Sequence, residues 1–148
     1  MKNVPNKIRN DKLWKDVYGV AELIYGRVDQ IIAEHPNEQW ATASKLRTSA
    51  NDSLFYVSQA IGSANQEAVE YEWNSARKNL FSLQAIYIFA AKQNLIELEP
   101  DFIVKIDNLL ADIDKRIAAS KEAVQKKNED DLKPWLEKYQ LWQKIQKK

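Results

Sequence analysis

Over residues 80–91, ten of twelve positions are apolar, and they are not confined to one side. At helical spacing Leu80, Leu83, Tyr87 and Ala90 share a face, while Phe81, Ala85, Ile86, Ile88 and Phe89 occupy most of the remainder. A helix that is apolar around its circumference must be covered around its circumference. The run is too short to span a bilayer, which takes about 20 apolar residues, so the cover has to be protein. A helix packed into a small bundle is buried on one side only. The outer side, with Phe81, Ile88 and Phe89 at its centre, therefore faces either a second copy of the chain or the chain's own C-terminal tail. Monomers rarely expose large contiguous apolar patches, which favours the second copy.

The same three-and-four periodicity runs through most of the chain. A first helix is expected over residues 11–34, with Asp11 as N-cap and His35-Pro36 as its stop. A second follows over 37–61, with Trp40, Ala43, Leu46, Ala50, Leu54, Val57 and Ile61 on one face, and Gly62 ends it in a left-handed cap. The third covers 65–94, and the fourth opens at Pro100, a residue suited to the first helical position, and runs to 127. Three glycines and four prolines are too few for a turn-dense β fold. The expected fold is all-α: an antiparallel up-down-up-down four-helix bundle over 11–127, a polar N-terminal arm over 1–10 and a short amphipathic helical tail over 128–148.

Chemistry is sparse. Cysteine is absent and His35 is the only histidine, so thiol catalysis, thiolate metal sites and a Glu-x-x-His di-iron bundle are all excluded. His35 precedes a proline at a helix end, and seven residues separate it from Arg27, which argues against a nucleolytic pair. Glu67, Glu70, Glu72, Asp107, Asp112 and Asp114 alternate with core positions and read as a solvated outer face. No glycine-rich phosphate loop is present. The expectation is a non-enzymatic protein without metal, cofactor or small-molecule substrate. The N-terminus lacks a secretory pattern and no stretch is suited to a membrane, which points to the cytoplasm.

Lys+Arg number 22 against 21 Asp+Glu, so no global field draws the chain to nucleic acid. Local candidates are Lys45 and Arg47 near the start of the second helix and Arg77 and Lys78 midway along the third. A further basic group, Lys2, Lys7, Arg9, Lys12 and Lys15, crowds the N-terminus. In the tail, Trp135, Tyr139, Trp142 and Ile145 fall at helical spacing beside Lys138 and Lys144. Such a stripe can stack bases, but the same spacing is that of a helix docking into a partner's groove, and docking is favoured.

The segment LWKDVYGVAELIY, residues 13–25, resembles the opening of the 23S rRNA intervening-sequence protein family. EQWATASKLRTSANDS, residues 38–53, is similar to that family's second helix, with Trp40, Leu46, Arg47, Ala50 and Ser53 in matching places, and residues 76–96 are similar to its third. The chain departs from the pattern at Val57 to Ile61, at Thr48 in place of a second arginine, and at Ser82, Leu83 and Gln84. The resemblance implies a bacterial four-helix bundle. It also implies kinship with accessory variability proteins of diversity-generating retroelements, which form homopentamers that bind a reverse transcriptase and nucleic acid. The function it implies is therefore a homo-oligomeric accessory or adaptor protein with an RNA- or reverse-transcriptase-linked partner. A protein-only scaffold that docks its partner through the aromatic tail is the alternative.

Overall fold

The computed structural model describes residues 3–148, so Lys2 lies outside the described residues. The chain is all-helical, with no strand among those residues. Its elements are α1 (Asn6–Arg9), α2 (Lys12–Glu34), a single 3-10 turn (Pro36–Glu38), α3 (Thr42–Gly62), α4 (Gln66–Lys92) and α5 (Pro100–Gln146).

Local chemistry sets most of the boundaries. Asp11 caps α2, its carboxylate accepting from the Leu13 and Trp14 amides at 2.9 and 3.4 Å, and α2 stops at His35-Pro36 as expected. Asn65 caps α4 by accepting from the Glu67 amide at 3.1 Å. α4 ends where Asn94 turns left-handed, φ 59°, and the Leu95 amide reaches back to the Ala90 carbonyl at 3.0 Å. Pro100 occupies the first turn of α5.

Four expectations are corrected. α3 begins at Thr42 rather than at 37, which leaves Trp40 in the preceding turn, 85% exposed instead of facing the core. Gly62 is not left-handed. It is the last residue of α3, and a Cβ there would stand 3.3 Å from Ile8 Cδ1, a close approach that the Ile8 side chain on α1 would have to yield to by a few tenths of an ångström. The N-terminal arm is accordingly not wholly solvated, since Val4 and Ile8 pack against the core. Finally, no break separates 127 from 128. α5 is one 47-residue helix with Pro134 inside it.

Ile24, Val28, Leu46, Val57, Leu80, Leu83, Tyr87, Ile106 and Ile113 are fully buried where α2 to α5 meet. Each such side chain removed from water contributes about 1.5–3 kcal/mol. Polar ties join the helices in pairs. Between α2 and α3, Trp14 Nε1 donates to Ser58 Oγ at 2.9 Å and Tyr25 Oη to Asn51 Oδ1 at 2.7 Å. Between α4 and α5, Glu70 meets Lys121 at 3.7 Å, Arg77 meets Asp114 at 2.7 Å and Gln84 donates to Asp107 at 2.7 Å. Between α2 and α5, Asp11 meets Arg116 and Arg27 meets Glu99. In every pair, rising numbers on one helix meet falling numbers on the other, so each pair runs antiparallel. The Tyr87 hydroxyl closes the α4–α5 connection, donating to the Glu97 carbonyl and accepting from the Glu99 amide, both at 3.0 Å. Among the described residues no helix is long and apolar enough to cross a membrane.

Candidate docking surfaces

The side of α4 turned away from the core is apolar and open. Phe81 and Phe89 are 57% and 56% exposed. Ala85 lies exposed between them and Ile88 is half-buried beside them. These are the residues that the all-round apolarity of 80–91 singles out. The tail does not cover them. α5 runs antiparallel to α4, so Phe89 lies level with the start of α5, and the tail leaves the molecule past the opposite end, near Asn65 and Gln66. The alternative in which the tail folds over this face is thereby corrected.

From Gln125 onward every residue of α5 is exposed. The 22 helical residues from there to Gln146 span about 33 Å, those up to Asp131 bordering Ala64 to Gln66 and the rest projecting past them. Leu132, Trp135, Leu136, Tyr139 and Trp142 form a stripe along it, each 55–69% exposed. Tyr139 stacks on Trp142 at 6.2 Å, and Lys138 Nζ lies 5.2 Å over the Trp135 ring. The sequence places these aromatics on one face correctly. It gives no sign that the helix bearing them is the continuation of α5.

A third surface escaped the sequence reading. Val4 and Ile8 from the arm, Trp14 and Tyr18 from α2, and Leu54 and Phe55 from α3 line a groove of about 460 Å³. A second hollow of about 350 Å³, bordered by Tyr25, shares Tyr18 and Leu54 with it. Trp14 and Tyr18 stack at 5.2 Å. Glu22, by hydrogen bonding and by its charge, pushes the Tyr18 phenol above its ordinary pKa. The groove depends on the arm folding back onto α3, a contact between distant residues with no local signature.

Two of the four basic candidates are engaged within the chain. Arg77 is held by Asp114, and Arg47 lies over the Tyr25 ring at 5.8 Å with its Nε buried and unmatched by any acceptor among the described residues. Lys45 and Lys78 are exposed and enter no ion pair among the described residues. The carboxylates expected on a solvated face are in part ties: Glu70, Asp107 and Asp114 each bond across to the neighbouring helix. His35 caps α2, half-buried, its amide donating to the Ile31 carbonyl at 2.7 Å. No group of three or more His, Cys, Asp or Glu among the described residues stands close enough to hold a metal ion. The chain matches no protein-family model, no curated protein and no solved structure.

Proposed function

We propose that this protein is a non-enzymatic, self-associating helical adaptor of the cytoplasm. In this reading α2 to α5 form an up-down-up-down four-helix bundle, supported by the antiparallel ties between α2 and α3, α4 and α5, and α2 and α5. Copies join through the outer face of α4. The observation that carries the reading is the open surface of Phe81, Ala85 and Phe89, with Ile88 half-buried beside them, which the exposed end of α5 does not cover. The resemblance to the 23S rRNA intervening-sequence family favours a homopentamer and a partner linked to RNA or to a reverse transcriptase.

The test is the solution mass of the full chain. Phe81→Lys with Phe89→Lys places two charges on side chains that are already more than half exposed, so the fold survives while the contact is lost. Light scattering that reports a lower mass than the unaltered chain supports the proposal, and an unchanged mass overturns it.

A protein-only scaffold is the second reading, favoured by the engagement of Arg77 with Asp114 and by the open aromatic stripe on α5. A nucleic-acid titration against salt separates the two. Shared phosphate contacts give a steep negative slope, whereas a scaffold gives no binding to titrate.

A further inference from the structure

We propose that the exposed end of α5 pairs with the same segment of a second copy of this chain, as an antiparallel two-stranded coiled coil. Leu132, Trp135, Tyr139 and Trp142 follow one another at intervals of three, four and three residues, the spacing of a coiled-coil seam. In antiparallel register the seam matches itself completely. Leu132 meets Trp142 of the second copy, Trp135 meets its Tyr139, and the two-fold axis repeats both layers. Leu136, on one flank, meets its own counterpart. Pro134 lies on the opposite side of the helix and leaves the seam clear.

Charge selects both the orientation and the occupant. Over 129–137 the carboxylates Glu129, Asp130, Asp131 and Glu137 outnumber the single Lys133. Over 138–148 there are Lys138, Lys144, Lys147 and Lys148 and no acid. Parallel pairing sets like against like, whereas antiparallel pairing sets the acidic half of each copy against the basic half of the other. A segment that carries both halves of its own complement needs no foreign partner. Burial also supplies what the free rod lacks, because most helical stability in proteins comes from packing an apolar face and not from propensity. This contact is independent of the one through α4. Copies arranged around a five-fold axis carry their α5 ends parallel, so an antiparallel pair joins copies from two such assemblies.

The chain has no cysteine, so introduced thiols report contacts without background. In the full-length protein, mild oxidation of Leu136→Cys yields covalent dimer as the main species. Glu129→Cys and Gln143→Cys, which flank the seam at opposite ends, each stay uncrosslinked alone and link to one another when mixed. A Leu136→Cys chain that remains single on a non-reducing gel overturns the proposal, and so does self-linking of Glu129→Cys, which requires parallel strands. All three sites lie on exposed helix, so folding of the core is unaffected. Repeating the measurement with Phe81→Lys and Phe89→Lys present separates failure here from failure of the α4 contact: the Leu136→Cys dimer persists when the α4 face is lost.

Discussion

Arg116 grips Asp11 with both terminal nitrogens, Nη1 to Oδ2 and Nη2 to Oδ1, each at 3.0 Å. The guanidinium also lies 5.4 Å over the Trp73 ring. One carboxylate thus caps α2, binds α5 and, through Arg116, meets α4. Burial raises the Asp11 pKa, but the hydrogen bond and charge of Arg116, with the amides of Trp14 and Leu13, together outweigh it and hold the carboxyl below its usual range.

Asp11→Ala is expected to destabilise more than Asp11→Asn by about 1 kcal/mol, because asparagine keeps the cap and loses only the charge. The difference between wild type and Asp11→Asn carries a pH signature. The folded pKa is depressed, so the unfolded chain binds the proton more readily. The stability from this group is therefore complete above about pH 5 and declines as pH falls through the folded pKa. Urea unfolding of both proteins at pH 7 and near pH 2 checks this: the gap narrows toward the acid end. A gap independent of pH contradicts the ion-pair assignment.

Tyr87→Phe removes one oxygen and breaks two part-buried hydrogen bonds, to the Glu97 carbonyl and from the Glu99 amide. A loss of about 0.5–1.5 kcal/mol for each bond is expected, the net worth of an intramolecular hydrogen bond. Tyr87 is fully buried on the core side of α4, so the outer face is unaltered and the solution mass stays that of wild type. Thermal melting and light scattering on the same sample test both statements.

What the sequence discloses follows the range of the interactions involved. Asp11, His35-Pro36, Asn65 and Pro100 act on their own turn of helix, and each boundary they mark is where it was expected. Gly62 misleads because its role is set by Ile8, which lies far away in sequence, and the Asp11–Arg116 pair spans 105 positions with no local trace. The open apolar face of α4 is legible because apolarity around a whole helix leaves one side outside the core, whatever the tertiary arrangement. The basic candidates are not, since Arg77 and Asp114 each look free until the register of α4 on α5 is known. Trp40 fails as a core residue because α3 starts five residues later than its apolar spacing implies, with Glu38 Oε2 accepting from the Thr42 amide at 3.4 Å.

Pro134 gives the remaining prediction. It reads as a helix stop, yet α5 continues on both sides of it. Proline lacks the N–H that would reach the Asp130 carbonyl, and its ring crowds that oxygen, at a cost of about 3 kcal/mol in a helix interior. At this position the cost falls on a stretch that touches no part of the core, so the bundle neither opposes nor compensates it. Pro134→Ala should therefore leave the thermal midpoint of the core unchanged while slowing amide hydrogen exchange over 131–146 and deepening the far-UV helical signal. A shifted core midpoint would show that the extension and the packed helices unfold as one unit. Unchanged exchange would show that side-chain pairing with another copy, and not the local helix propensity, sets the stability of this segment, and dilution would then speed exchange in both proteins alike.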